Sequence, residues 1–148
     1  MARREEMKMQ DVIIRKATLS DIPDLLRLQE SCELARSDME AFDEEELADF
    51  IEKGITIAAE KQGAGVVGFV MGELMLGGGA LCQLEGMDEA HRNGLTARDL
   101  FMAFRAEAKA RGARWIQLYA KEETAALHKY NKCDEISEGS YKEVFYYI

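Results

Sequence analysis

Proline, histidine and cysteine are all scarce in this chain. Pro23 is the one proline in 148 residues, and no Pro-rich or repetitive stretch interrupts the sequence. The three cysteines, Cys32, Cys82 and Cys133, are odd in number and widely scattered, so they read as reduced thiols of a cytosolic protein. His91 and His128 are the only imidazoles, too few for a histidine-rich site, and no metal is expected. No apolar run approaches the ~20 residues of a membrane-spanning helix. Arg3 and Arg4 have no apolar segment behind them, so the start does not read as a signal peptide. Basic residues are outnumbered 19 to 28, giving net -9. That balance argues against nucleic acid and anionic membrane as partners and leaves room for a cationic amine.

With 47% hydrophobic and 32% charged residues, the chain can fill a real core. The length suits one domain, taken as residues 11–148 behind a flexible segment of residues 1–10. Residues 12–15 form a β-branched run and read as a strand. A first helix follows to about residue 33, with Ser20 as cap and Pro23 in its first turn. A second starts at Asp43, carries Leu47, Phe50 and Ile51 on one face and stops at Gly54. Residues 55–60, 66–75 and 81–87 then read as an antiparallel meander. A long helix over 96–111 buries Leu100, Phe101, Phe104 and Ala108. A strand at 115–119, a short helix at 123–132 and a last strand at 143–148 complete the order β-α-α-β-β-β-α-β-α-β. The strand–helix–strand crossover predicts a parallel pair, and hence a mixed, mostly antiparallel α/β sheet with helices on both faces.

Chemistry is expected between the third meander strand and the long helix, where Asp88 to Ala97 form a loop of small and polar residues. Backbone N–H groups and the helix dipole at such a junction suit phosphate or pyrophosphate. Arg92 adds a charged fork for a phosphate oxygen, and the plain alternative is a solvated strand-to-helix loop.

From Asp11 to the C-terminus the chain resembles the GCN5-related N-acetyltransferases (GNAT). Residues 12–26 look like the family's opening strand and helix, and Val67-Gly68-Phe69-Val70 like its third strand. The stretch with Arg92 and Ala97 occupies the place of the coenzyme A pyrophosphate loop, with Leu95 at the pattern's central glycine. Residues 126–132 look like the last helix, whose tyrosine, here Tyr130, lies near the thioester sulfur in many members.

The resemblance implies a mixed GNAT sheet and transfer of an acetyl group from acetyl-CoA to a primary amine, by direct attack and without a metal. It implies coenzyme A contacts from Gly86, Met87, Arg92, Asn93, Gly94, Leu95, Thr96 and Ala97. Tyr130 would protonate the leaving thiolate. The family's commonest glutamate position holds Gln83, so Glu85, expected on the same strand face, stands in as the base. Tyr119 is expected to pack, and Cys82 and Cys133 to be buried thiols. The acceptor is expected to be a small cationic molecule or a peptide amine, because residues 37–52 hold eight acids and no base. Phe145, Tyr146 and Tyr147 belong either to the core or to a homodimer interface. The rival reading is a GNAT-fold protein with weak or no catalysis that binds a ligand or partner.

Overall fold

The computed structural model describes residues 11–31, 41–121, 133–136 and 141–148. Its strands and helices are β1 (Val12–Lys16), α1 (Ile22–Ser31), α2 (Glu44–Glu52), β2 (Ile55–Lys61), β3 (Gly65–Leu74), β4 (Gly79–Met87), α3 (Gly94–Ala110), β5 (Trp115–Lys121), β6 (Glu135–Ile136) and β7 (Tyr141–Tyr147). Among the described residues one seven-stranded sheet runs β1-β2-β3-β4-β5-β7-β6. All neighbours are antiparallel except β4 and β5, the parallel pair that the crossover through α3 requires. The mixed α/β sheet expected from the sequence is thus the observed one. The two-residue β6 is an addition to the expected order. The expected segment 1–10 and the helix at 123–132 lie outside the described residues.

Alternation along the strands sorts side chains into two cores. Ile55, Ile57 and Ala59 of β2 meet Leu100, Phe101, Phe104 and Ala108 of α3 on one face. Ala58 of β2 and Phe69 and Met71 of β3 meet Leu25, Leu28 and Leu47 of α1 and α2 on the other. Each of these three leucines is fully buried, which stabilises the fold by about 1.5–3 kcal/mol apiece.

Local chemistry sets the helix starts. Ser20 is not the cap of α1: its hydroxyl meets that of Thr18 at 2.7 Å, and a short 3-10 turn, Leu19–Asp21, leads into the helix. The Asp21 carboxylate instead accepts the Thr18 N–H at 2.8 Å. At α2 the expected cap holds: Asp43 accepts from Glu46 N at 2.8 Å, and Glu46 Oε1 accepts from Asp43 N at 3.4 Å. The buried Gln29 side chain donates to Phe42 O and accepts from Phe42 N, both at 3.0 Å. This two-point clamp fixes Phe42 just before α2.

Strand β4 departs from regularity in two places. Met71 stands opposite Leu84 but Gly72 opposite Cys82, so Gln83 is an extra residue in a β-bulge. Gly72 is required there, since a Cβ would strike the Leu81 carbonyl oxygen and the Phe104 ring. In addition, β4 pairs with β5 only from Gly79 to Cys82, although both strands continue. The two strands splay beyond that point.

Candidate active site

The bulge decides which β4 side chains share a face. Gln83 lines a groove on the α2 side together with Phe42 and Phe50, and Leu84 packs toward the same core. Met87 belongs to the α3-side core. Glu85 shares that side, because its charge acts on Cys82 and Tyr146, both members of the same core. The expectation that Gln83 and Glu85 lie on one face is therefore corrected: one inserted residue reverses the alternation between them.

The backbone of this stretch is also oriented by pairing. Asp88 N donates to Val67 O at 2.8 Å across the β3–β4 register. Alternation then turns the amides of Gly86 and Leu84 toward β3, and those of Glu85 and Met87 toward β5. Glu85 thus presents backbone to the splay while its side chain sits on the α3 side.

Burial pushes the Glu85 carboxyl up to about 8. Burial, with the Glu85 charge second, also drives the Cys82 thiol well above its ordinary range. The Tyr146 phenol is pushed up by burial too. Tyr146 leans on Phe101 with ring centroids 4.8 Å apart, and the Arg105 guanidinium lies 6.0 Å from its ring centre. Of the terminal aromatics, Tyr146 is therefore core, whereas Tyr147 is half exposed and stacks with Phe145. Cys82 is buried as expected, but Cys133 is only half-buried. Tyr119 does not pack in the core: it is 58% exposed, and its hydroxyl accepts from Gln117 Nε2 at 3.3 Å.

After β4 the chain makes a 3-10 turn, Glu89–His91, and enters α3 at Gly94, two residues before the expected start. Asn93 is the cap, accepting from Leu95 N at 2.9 Å. The amides of Gly94 and Thr96 meet no protein acceptor among the described residues. No acid occupies the first turn of α3, whereas α2 has three there. Arg92 is exposed beside this turn. Leu95 lines a cleft together with Arg92, Asn93 and Thr96 of this turn and with Val12 and Lys61. Ala97, four residues after the Asn93 cap, packs against the α3-side core.

The loop is tethered from behind. Arg27 of α1 donates to Val66 O at 3.0 Å and approaches Asp88 at 3.9 Å. Asp88 in turn meets His91 Nδ1 at 3.3 Å.

No protein-family model matches the chain. No curated protein matches it by sequence either. Solved structures do match. The PaiA N-acetyltransferase of Thermoplasma acidophilum, crystallised with coenzyme A, superposes with a TM-score of 0.76 at 13% identity, over 93% of this chain and 99% of that one. The ribosomal-protein-alanine N-acetyltransferase of Brucella melitensis gives 0.71 at 19% identity, over 90% and 96%. An acetyltransferase of Thermus thermophilus gives 0.68 at 15% identity, over 93% and 97%. The fold is that of the GCN5-related N-acetyltransferases. Within it, this chain brings together the splay, Glu85 and the start of α3. Tyr130 lies outside the described residues.

The sequence allowed Tyr146 a place in the core, but not its place near Glu85, and it did not show the bulge. Tyr146 carries no local signal, because only the pairing of Ile116 with both Ala80 and Tyr146 sets it across from β4. Gly72, a glycine inside a strand, was the available sign of the bulge.

Proposed function

We propose that the protein transfers the acetyl group of acetyl-CoA to a primary amine. The observation that carries this reading is the splay of β4 from β5, followed along the chain by an α3 first turn that has no acid and whose Gly94 and Thr96 amides meet no acceptor among the described residues. An extended thioester arm fits along the splay, and a pyrophosphate suits the Gly94 and Thr96 amides with Arg92 alongside. Asn93 holds this turn by its cap, and Arg92, Leu95 and Thr96 line one cleft there. Met87 and Gly86 continue the β4 backbone between the two features.

When bound, acetyl-CoA supplies an activated acyl carbon. The amine arrives as an ammonium, gives up one proton, and its nitrogen bonds to the acetyl carbon as the carbon–sulfur bond breaks. The nitrogen sheds a second proton and the thiolate takes one up, so the net products are amide, thiol and one proton. Glu85, whose carboxyl burial raises to about 8, is the proposed proton acceptor. Tyr130 is the proposed donor to the thiolate, on the family resemblance alone.

Calorimetric titration with acetyl-CoA and with coenzyme A tests the reading. Binding is expected for both, and no heat at millimolar ligand overturns the reading in favour of a non-catalytic GNAT-fold protein. With binding established, Tyr130→Phe should lower turnover by about tenfold or more while leaving affinity nearly unchanged. An unaltered turnover number removes Tyr130 from the mechanism.

A further inference from the structure

We propose that Lys61, the last residue of β2, binds the diphosphate of acetyl-CoA together with Thr96, in the cleft at the first turn of α3. The proposal rests on the acetyl-transfer reading for the identity of the ligand. It adds a cation from the sheet, outside the loop to which the family resemblance assigns the phosphate contacts.

Alternation sets the place of Lys61. Ile55, Ile57 and Ala59 of β2 belong to the α3-side core, and Lys61 continues that row two residues on. Its register partners are Val12 of β1 and Gly65 of β3, so it has a strand on either side. A lysine on the inward row of an edge strand can be explained as a guard against edge pairing, but β2 is not an edge. Lys61 is half-buried, and an ammonium that loses water is costly unless an anion meets it. The lysines with ion pairs among the described residues are Lys16 and Lys53, and Lys61 has none there.

Thr96 is a second and independent sign of a ligand. It is only 7% exposed and lines the same cleft. Neither its hydroxyl nor its amide meets a protein partner among the described residues. The stranded hydroxyl of Thr56 is sealed in the core, whereas that of Thr96 is not sealed and opens on the cleft. A buried hydroxyl of this kind is satisfied by what enters the cleft.

The cleft encloses about 440 Å³ and is rich in donors. Lys61 comes from the sheet, while Arg92 and Thr96 come from the turn before and at the start of α3. The carboxylate in this lining is the exposed Asp99. His91 lines it too, with its Nδ1 already 3.3 Å from Asp88. Two permanent cations against one carboxylate make a locally positive spot on a chain of net -9. A single phosphate at Arg92 and the α3 amides leaves Lys61 unmatched, whereas two linked phosphates engage the helix side and the sheet side together. Val12, Ile14 and Val67 supply apolar surface beside the donors, which keeps water back and strengthens each charged contact.

The test is calorimetric titration of the whole protein with acetyl-CoA, with 3′-dephospho-coenzyme A and with inorganic pyrophosphate, at low and at raised salt. Lys61→Gln should weaken acetyl-CoA binding by about tenfold and reduce its salt dependence, and Lys61→Arg should keep most of the affinity. Thr96→Val keeps the shape, removes the hydroxyl and should weaken binding by about fivefold. The dephospho form should lose as much as acetyl-CoA, because both carry the diphosphate. Unchanged melting curves report an intact fold in each variant. Acetyl-CoA binding that ignores both Lys61→Gln and Thr96→Val overturns the proposal and leaves the transfer reading standing. A loss in Lys61→Gln that spares the dephospho form also overturns it, because the lysine then serves the 3′-phosphate. Lys61-dependent binding of pyrophosphate by a protein that does not bind acetyl-CoA upholds the anion cleft and defeats the transfer reading.

Discussion

Thr56 sits 5% exposed in β2, opposite Met71, and its Oγ1 meets no hydrogen-bond partner among the described residues. A buried hydroxyl without a partner keeps the full cost of leaving water. Valine has nearly the same shape and lacks that cost. Thr56→Val should therefore stabilise the protein by about 1 kcal/mol, read as a higher midpoint in urea with unchanged slope. Sequence places Thr56 in a strand, where threonine is ordinary. That its hydroxyl is stranded depends on the apolar neighbours that α1 and α2 supply.

The edge strand β1 and the turn before α1 are joined by one buried carboxylate. Asp21 Oδ2 lies 2.7 Å from Arg15 Nη1 and Oδ1 lies 2.9 Å from Nη2, while Arg15 Nε reaches Glu60 of β2 at 3.2 Å. The Arg15 hydrogen bonds hold the Asp21 carboxyl below its usual 3.8, against the opposing effect of burial. Its contribution is therefore fully present above the usual carboxylate range and is lost as pH falls through the lowered value. Asp21→Ala takes from Arg15 one of its two carboxylates and from the Thr18 amide its acceptor, and should cost about 2 kcal/mol at neutral pH. Urea melts of both proteins check this, and the difference between them should shrink on acidification. The helix caps are partly legible in the sequence. Asp43 can be read as a cap because its Glu lies three residues on, whereas Ser20 misleads because its hydroxyl meets Thr18 and the residue three on is Pro23, which has no N–H to donate.

Glu85 is perturbed by the assembly of distant segments. Strand β4 carries it, while α3 and β7 bring Phe101 and Tyr146 to the same side. Exclusion of water there raises its carboxyl from 4.5 to about 8. A raised carboxyl favours the protonated fold, so the contribution of Glu85 to stability is greatest below 4.5 and is lost as pH rises through about 8. Catalysis runs the other way, since a base must be ionised, and turnover should climb across the same upper limb. Glu85→Gln should flatten the stability profile over that window and lower turnover by about a hundredfold, without the upper limb. Melting temperatures and pH–rate curves of the two proteins decide it. A variant with the native pH–rate limb excludes Glu85 as base.

Much of this molecule is legible in its sequence because the causes are local. Hydrophobic period separates the α2 and α3 stripes from the β2–β4 meander, turn glycines separate the strands, and the crossover rule requires the parallel β4–β5 pair. The acidic run is equally plain, being a property of neighbouring residues. What tertiary structure alone decided is how those parts face one another. The bulge at Gln83 sends it and Glu85 to opposite sides, because a strand's side chains alternate and one extra residue shifts the count. The groove exists only because Gln29 pins Phe42 against Phe50 beside a hairpin far along the chain. The raised carboxyl exists only because separate elements exclude water from it. Periodicity and charge are written into the order of residues, but register, burial and juxtaposition depend on contacts between segments that the order alone does not bring together.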